Sequence, residues 1–381
     1  MKIIYLIAGT YRPAGMERVL ANKANALVRE GNELVVVTTD QRGRENAFEL
    51  DPGIRRIDLD VNYESNNGGS FASKLLCYPF KQLRHFHKLR RVLMAQRADI
   101  VVSMFCNDAN FLPRIKDGSR KVLEIHFSRF KRLQYGRRGL WALADKLRSR
   151  GDAKTVARYD AFVVLTEEDK TYWGQLRNIR VIPNARTFAP LPSAPSAESR
   201  PRVVLAVGRY NAQKAFDRLI DAWNRIPKRM LDEGWILRIV GDGELRDALQ
   251  SQVHSLGLDG SVVLGKPGSG MKEIYGNASI YAMSSLYEGL PMVLLEAQAA
   301  ALPIVSVLCK CGPRDVVTDG VDGFLVPEGD VEALSQRLSL LMDDAALRSE
   351  MGAAALAASE RFDEQRIMQM WRELFSELCN R

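Results

Sequence analysis

Ser279 to Ser306 reads SIYAMSSLYEGLPMVLLEAQAAALPIVS, and this stretch decides the fold. Its β-branched and aromatic run, Ile280 to Met283, predicts a buried strand, and a polar loop follows it. From Pro291 the apolar segment is long enough for a helix, and it ends before a second strand-like run, Ile304 to Val307. A strand, a loop, a helix and a second strand form the repeating unit of a parallel α/β sheet.

The loop and the helix start form a candidate anion site. Pro291 suits the first helical position, where its missing N–H would be unpaired in any case. The free N–H groups of the first turn belong to its neighbours Leu290, Met292 and Val293. They point into the loop at the positive end of the helix dipole. Two carboxylates, Glu288 and Glu296, bracket the site. This arrangement suits a diphosphate between two sugars, although the spacing alone is equally compatible with two solvated acidic residues.

The same pattern recurs through the C-terminal half of the chain. Three further strand-like runs each end in a glycine-containing loop: Val203 to Val207 before Gly208-Arg209 and Lys214, Ile236 to Val240 before Gly241-Asp242-Gly243, and Ser261 to Leu264 before Gly265-Lys266. Repeated strand and helix units predict a doubly wound parallel sheet, which binds its ligands beyond the carboxyl ends of the strands.

The N-terminal half predicts a second sheet of the same kind. Lys2 to Ala8 is strand-like, Gly15 precedes a helical pattern, and Lys121 to Ile125 predicts a strand that ends at His126. Backbone can approach a ligand closely at a glycine, and strand ends are where α/β sheets place their ligands. The alternative to a ligand contact is a plain turn for Gly15 and a purely structural role for His126. Ala189 to Pro201 holds four prolines, which is typical of a linker, and 381 residues favour two domains.

Several of these segments occur together in one known family. EGLPMVLLE, GRYNAQKAFDRLIDAW and CGPRDVVTDGVDGFLVPEGD resemble, in order and spacing, motifs of the retaining family-4 glycosyltransferases, and the first of them resembles their E-x7-E signature. The resemblance implies the GT-B fold, in which two doubly wound, Rossmann-like α/β domains face each other across a cleft. We therefore expect an N-terminal acceptor-binding domain over residues 1–187 and 363–381, and a C-terminal nucleotide-sugar-binding domain over residues 188–362.

The resemblance also implies roles for individual residues around the donor sugar. Glu296 would bind the ribose hydroxyls, and Glu288 would contact the sugar. EIHFS resembles a strand end of the family whose histidine, here His126, faces the donor sugar. PAGMERV resembles the loop that faces the transferred phosphate, with Gly15 retained and Ala14 in place of the first glycine of the pair.

Breaking the anomeric bond leaves a diphosphate whose charge must be stabilised. Arg209 suits this task as a bidentate fork and Lys214 as a mobile point charge, and the helix N–H groups add donors. The resemblance implies that the loops at Gly208 and Asp242, and the backbone near Lys266, which would hold the base, complete the nucleotide site. The resemblance implies attack from the front face, with the leaving phosphate helping to deprotonate the acceptor hydroxyl, and with neither a metal nor another cofactor.

Charge is unevenly divided along the chain. Residues 1–190 contain 34 Lys and Arg against 20 Asp and Glu, although the whole chain carries a formal charge of only +8. Two basic and aromatic stretches in that half, Ser73 to Arg97 and Phe127 to Arg150, are typical of elements that lie on a membrane surface. A solvated helix face and nucleic-acid binding are the alternatives. We expect an anionic membrane surface as a partner, because no nucleic-acid recognition motif accompanies the charge.

The sequence favours a cytoplasmic protein that is peripheral on the inner face of the membrane. No apolar run approaches the roughly 18 residues of a spanning helix, and the N-terminus lacks a cleavage pattern. The five cysteines are odd in number and scattered, which fits a reducing compartment. Neither zinc nor NAD is expected as a cofactor. Cys309 and Cys311 have no further ligands nearby to complete a zinc site, and Gly268-Ser269-Gly270 lacks the third glycine of a dinucleotide fingerprint.

These observations predict a retaining hexosyltransferase in cell-surface polysaccharide synthesis, such as that of capsule or lipopolysaccharide. The expected donor is a nucleotide diphosphate sugar, UDP-sugar in preference to GDP-sugar, and the expected acceptor is a lipid-linked glycan. One alternative is a nucleotide-sugar epimerase of the same fold, which would need acid and base residues beyond Glu288 and His126. Another is a basic nucleic-acid-binding protein. The sequence leaves the sugar, the linkage and the oligomeric state open.

Overall fold

The chain forms two compact units. The computed structural model describes residues 1–66, 71–130, 139, 149–191, 199–266, 268 and 270–380. The first unit consists of Met1–Pro183 and Gln365–Arg381, and the second of Asn184–Glu364. From the sequence we placed these divisions a few residues away, at 187/188 and 362/363. The assignment of acceptor and donor to the two units stays a prediction.

The first unit is built on a parallel sheet with the strand order β3-β2-β1-β4-β5-β6-β7. Its strands are β1 (Lys2–Ile7), β2 (Glu33–Thr38), β3 (Arg55–Asp58), β4 (Ile100–Ser103), β5 (Arg120–Glu124), β6 (Ala161–Val164) and β7 (Ile179–Val181). Its helices are α1 (Gly15–Arg29), α2 (Phe71–Gln96), α3 (residues 149–156), α4 (Glu167–Trp173) and the last helix of the chain, α13 (Glu364–Cys379). The central strands are buried on both faces, which is why they are apolar runs without alternation.

The second unit repeats this plan with the strand order β10-β9-β8-β11-β12-β13. Its strands are β8 (Val203–Val207), β9 (Ile236–Val240), β10 (Val262–Gly265), β11 (Ile280–Met283), β12 (Ile304–Val307) and β13 (Gly323–Val326). Its helices are α5 (Phe216–Trp223), α6 (Lys228–Asp232), α7 (Arg246–Ser255), α8 (Met271–Gly276), α9 (Met292–Ala299), α10 (Pro313–Val316), α11 (Val331–Asp343) and α12 (Ala345–Ser359). The prediction of two doubly wound parallel sheets is confirmed.

Each sheet contains one point at which the strand order reverses. This switch point lies between β1 and β4 in the first unit and between β8 and β11 in the second. The loops that leave the two neighbouring strands turn to opposite faces, which opens a crevice at the carboxyl ends of the strands. The loops after β8 and β11 contain Gly208–Lys214 and Ser284–Leu290, so much of the predicted site lies at the second switch point.

Two predicted helix starts are wrong by one or two residues. Helix α9 begins at Met292, and Pro291 is its N-cap, with an extended ψ of 98°. The run from Glu244 to Leu256 likewise predicts a helix from Glu244, but helix α7 begins at Arg246. Gly243, just before this segment, has a φ of 153°, a conformation outside the helical region that only glycine adopts readily.

Helix α2 covers the first basic stretch and directs several apolar side chains outward. Leu89 and Leu93 are buried, whereas Phe80 and Leu83 are 76% and 58% exposed. Phe86 follows Phe80 and Leu83 at helical spacing, but it packs edge-on against Phe111 with ring centroids 5.6 Å apart. We define the outward stripe of α2 as the exposed residues at helical spacing, which include no acid: Phe80, Leu83, Arg84, His87, Arg90, Arg91 and Met94.

The second basic stretch, Phe127 to Arg150, lies largely outside the described residues, and its role stays a prediction. Within the described ranges, none of the helices combines the length and the apolar character needed to span a bilayer.

A buried carboxylate in the first unit leads to a stability prediction. Asp108 follows β4 and is 2% exposed, and burial raises its pKa to about 6. The folded state therefore binds the carboxyl proton of Asp108 more tightly than the unfolded chain does. The contribution of this protonated carboxyl to the free energy of unfolding is fully present below a pH of about 4 and is lost as the pH rises through 6. We expect Asp108→Asn to raise the free energy of unfolding by about 1–3 kcal/mol at pH 8 and to change it little near pH 4. Urea titrations of both proteins at the two pH values measure this, and an equal difference at both would contradict it.

Candidate active site

Two loops of the second unit are joined at its switch point. Leu286 N–H, in the loop after β11, donates to the Gln213 carbonyl in the loop after β8 at 2.8 Å. The Gln213 side-chain amide donates in return to the Tyr287 carbonyl at 2.9 Å. The Ser284 hydroxyl donates to the Lys214 carbonyl at 2.8 Å. These bonds fix the two loops against each other and position the side chains that project from them.

The structure pairs two of the predicted catalytic residues, Lys214 and Glu288. Lys214 Nζ lies 2.7 Å from Glu288 Oε1, and the two side chains are only 15% and 10% exposed. Gly208 lies against this pair, and a Cβ there would lie 2.8 Å from Lys214 Cε, so a side chain at position 208 would displace the lysine side chain. Arg209 follows Gly208, is exposed and makes no ion pair among the described residues. The pair and the arginine place two cations and one carboxylate on adjacent loops.

The loop after β12 shapes the segment that leads into α9. Glu288 N–H donates to the Lys310 carbonyl at 3.3 Å. Gly312 has a φ of 97°, and a Cβ at this position would lie 2.3 Å from Pro291 Cδ and 3.0 Å from the Gly289 carbonyl oxygen. A residue without a side chain is therefore required both by the backbone conformation and by the packing.

The start of α9 supplies backbone donors. The first hydrogen bond of this turn joins Leu294 N–H to the Pro291 carbonyl at 2.9 Å. The N–H groups of Met292 and Val293 precede it, and first-turn N–H groups have no partner inside their own helix. Leu290 is buried, so its side chain packs inward while its backbone belongs to the loop. These donors and the positive end of the helix dipole favour an anion.

Two hydroxyl groups hold the Glu296 carboxylate. Thr187 donates to Oε1 and Tyr275 donates to Oε2, each at 2.7 Å. Tyr275 is fully buried and stacks on Tyr281 with ring centroids 5.7 Å apart. The two hydroxyls orient the carboxylate, and each oxygen keeps lone-pair capacity for a further donor. Sequence reasoning missed Thr187 and Tyr275, because no motif marks residues that are 109 and 21 positions from their partner.

The loops after β8 and β9 pack backbone against backbone. A Cβ on Gly241 would lie 1.8 Å from the Gly208 carbonyl oxygen, so this approach requires glycine. Asp242 is exposed, and its carboxylate accepts the Gly243 N–H at 2.9 Å. Lys266 is exposed after the edge strand β10, two strands from β8. Asp242 thus lies near the switch point, whereas Lys266 lies toward the edge of the sheet.

The remaining candidates, Gly15 and His126, belong to the first unit. Gly15 is the first residue of α1, and a Cβ there would meet nothing within 4 Å. The packing of the protein itself therefore does not require this glycine, which leaves open space at the helix start. His126 follows β5 with a side chain that is 6% exposed, and its Nε2 lies 3.1 Å from Glu124 Oε1.

Two family models match separate segments of the chain. The model described as Glycosyltransferase Family 4 matches residues 13–186, and the model described as Glycosyl transferases group 1 matches residues 191–357. The crystal structure of HepE from Anabaena in complex with UDP and glucose has a TM-score of 0.73 and 18% identity, over 99% of this chain and 100% of that chain. This likeness concerns the fold.

Curated relatives act in bacterial glycan synthesis. The amylovoran biosynthesis glycosyltransferase AmsD of Erwinia amylovora is 34% identical over 221 residues, which are 56% of this chain and 61% of AmsD. The GalNAc-alpha-(1->4)-GalNAc-alpha-(1->3)-diNAcBac-PP-undecaprenol alpha-1,4-N-acetyl-D-galactosaminyltransferase of Campylobacter jejuni is 27% identical over 381 residues, which are 100% of this chain and 99% of that protein. Two family models in the expected order and two Rossmann-like sheets lead to one conclusion: the chain belongs to the family-4 glycosyltransferases of the GT-B fold.

Proposed function

We propose that the protein is a retaining glycosyltransferase that transfers a hexose from a UDP-sugar to a lipid-linked glycan in cell-surface polysaccharide synthesis. The observation that carries the proposal is the arrangement at the second switch point. There, the Lys214–Glu288 pair and the exposed Arg209 lie on loops that join to the start of α9. Two cations and a row of N–H donors suit a diphosphate, and a nearby carboxylate suits sugar hydroxyls.

The proposed reaction breaks one bond and forms another on the same face of the sugar. The bond between the anomeric carbon and the β-phosphate oxygen breaks, and the anomeric carbon bonds to the acceptor oxygen. The acceptor proton passes to the leaving phosphate, and UDP is released. Arg209, Lys214 and the N–H groups of α9 stabilise the charge that grows on the phosphate. In this proposal Glu288 and His126 contact the donor sugar, Gly15 leaves room for the phosphate, and the reaction needs no metal.

A donor screen tests the proposal. The structural neighbour HepE was crystallised with UDP and glucose, which supports a uridine nucleotide. A ligand at 100 times its dissociation constant stabilises a protein by about 2.7 kcal/mol, so thermal unfolding with UDP, GDP and their sugars separates the two classes. We expect a shift with UDP-sugar and none with GDP-sugar. A shift with GDP-sugar alone would reassign the donor, and an inverted anomer in the product would exclude a retaining reaction.

The Glu296 carboxylate gives a prediction about donor binding. A contact with the ribose is made equally in the ground and transition states, so its loss raises the KM of the donor without lowering kcat. We expect Glu296→Gln to raise this KM about tenfold. Tyr275→Phe removes one of the two hydroxyls that orient Glu296 and should raise the KM by about fivefold. Steady-state kinetics at saturating acceptor measures both values, and an unchanged KM in Glu296→Gln would contradict the ribose contact.

The outward stripe of α2 supports an acceptor on an anionic membrane. Phe80 and Leu83 are exposed apolar side chains beside exposed arginines, and this combination suits the headgroup region of a bilayer. Lys88, another basic residue of α2, instead donates to the Leu59 carbonyl at 2.5 Å and fastens α2 to the loop after β3. The Campylobacter relative is named for an undecaprenol-linked acceptor, which is consistent with a lipid-linked glycan.

Charge reversal on this stripe should abolish membrane binding. Anionic lipid contributes about 1 kcal/mol per nearby basic residue, so replacing Arg84, Arg90 and Arg91 with Glu should weaken binding by at least about 100-fold. Sedimentation with vesicles of phosphatidylglycerol and phosphatidylcholine at low salt measures this. A matched control variant replaces the exposed Arg55, Arg56 and Arg177 of the same unit with Glu, so that both triple variants change the net charge by the same amount. If both triple variants lose binding equally, net charge rather than the stripe is responsible.

Two other functions make different predictions. An epimerase would release a rearranged nucleotide sugar in the absence of any acceptor. A nucleic-acid-binding protein would give a gel shift that survives moderate salt. The family match and the switch-point geometry favour transfer over both.

A further inference from the structure

A buried ion pair in the first unit takes no direct part in the proposed transfer. Lys23, in the middle of α1, and Glu124, the last residue of β5, have side chains that are 6% and 1% exposed. Lys23 Nζ contacts both carboxylate oxygens, with a distance of 2.5 Å to Oε2. Removing two charges from water often costs more free energy than their mutual attraction recovers, so stability alone does not explain a buried pair.

His126 lies beside the same carboxylate. It follows Glu124 by two positions, just beyond the end of β5. His126 Nε2 lies 3.1 Å from Glu124 Oε1. Burial by itself would raise the pKa of Glu124, but the charge of Lys23 is the main cause that outweighs burial and lowers this pKa to about 2. The carboxylate is therefore ionised at every pH at which an enzyme of this kind would be assayed.

The C-terminal helix contributes an aromatic ring to this cluster. Trp371 of α13 is buried, and its ring centroid lies 4.0 Å from Lys23 Nζ. The Tyr5 ring of β1 lies 5.3 Å from the same atom. Aromatic faces attract a desolvated cation, so these two rings stabilise the buried ammonium group. Successive contacts thus link Trp371 of α13 to Lys23, Lys23 to Glu124, and Glu124 to His126.

We propose that Lys23 and Glu124 are positioning residues that hold His126 as the tautomer with its hydrogen on Nε2. In that tautomer Nε2–H faces the negative charge of Glu124, whose Oε1 is 3.1 Å away, and Nδ1 keeps its lone pair to accept a hydrogen bond from a hydroxyl of the donor sugar. Both ring nitrogens are buried, and neither makes an aligned hydrogen bond in the part of the chain that the structure describes. The inference rests on the proposed contact between His126 and the donor sugar.

The double variant Lys23→Met/Glu124→Gln tests this arrangement. It removes both charges together, so neither ion is left buried without its partner, and the variant is expected to fold. Nitrogen-15 NMR of the imidazole ring reports which nitrogen bears the hydrogen, and His126→Asn assigns the signal. We expect hydrogen on Nε2 in the wild type and a mixture of tautomers in the double variant. We also expect kcat/KM to fall by roughly 10- to 100-fold, because the ring is no longer held in one orientation.

A folded double variant with an unchanged tautomer, or with unchanged kcat/KM, would overturn the inference. Wild-type turnover in His126→Asn would also overturn it, because the histidine would then have no contact with the sugar. Wild-type turnover in His126→Asn would remove His126 from the proposed donor contacts, but neither result affects the proposed transfer itself, which depends on the donor shift and product formed by the wild-type protein. Failure of that function shows itself separately, as a wild-type protein that neither binds nor transfers from any nucleotide sugar.

Discussion

Replacing Arg209 or Lys214 with alanine is expected to lower turnover by about 10²–10³-fold, because the loss of one donor aimed at developing charge typically has this effect. Both cations lie on the loop after β8, which is fastened to the loop after β11. Charge on the diphosphate grows as the anomeric bond breaks, so kcat should fall more than the KM of the donor changes. Initial rates at saturating UDP-sugar and acceptor measure the effect.

The two substitutions need different controls. Arg209 is exposed, so its removal should leave the melting temperature unchanged, and Lys228→Ala removes an equally exposed cation from the same unit. Lys214→Ala leaves Glu288, whose side chain is 10% exposed, without its cation. A double-mutant cycle of Lys214→Ala, Glu288→Gln and the combined variant separates the loss of the cation from the loss of its pairing with Glu288, which in the proposed function also contacts the donor sugar. Turnover in Arg209→Ala that matches Lys228→Ala would remove Arg209 from the site.

Gly312→Ala is expected to destabilise the second unit by about 2–5 kcal/mol, because backbone strain and overpacking add at this position. The φ of 97° disfavours any side chain, and the new Cβ would overlap Pro291 Cδ at 2.3 Å. Relief of that overlap displaces Pro291 and the start of α9, so the thermal shift with UDP-sugar should also become smaller. Urea unfolding and the donor shift measure the two effects.

Gly320→Ala is the matched control for this prediction. Gly320 has a φ of 76°, but a Cβ there would meet nothing within 4 Å. It should therefore show the backbone strain alone, about 1–2 kcal/mol, and leave the donor shift unchanged. If the two variants lost equal stability and bound donor equally well, the contact between Gly312 and Pro291 would have no part in shaping the site.

The local sequence was sufficient to predict the fold. Ile280 to Met283 and Ile304 to Val307 are apolar without alternation because each strand is covered on both faces, and this property of parallel sheets is visible in the sequence. The spacing of Glu288 and Glu296 around a helix start likewise depends on neighbouring residues. Such features follow from backbone geometry within one strand–loop–helix unit, so residues that are close in the sequence are enough to predict them.

Contacts between distant segments depended on the tertiary structure. Lys214 and Glu288 were each predicted as site residues, but their pairing joins positions 74 apart. The same holds for the hydroxyl of Thr187 on Glu296 and for Lys23 on Glu124, where the partners are 109 and 101 positions apart. Such distances in sequence carry no periodic signal, because the partners meet only after separate elements pack against one another. The sequence thus determined which groups line each loop, whereas packing decided which of them touch.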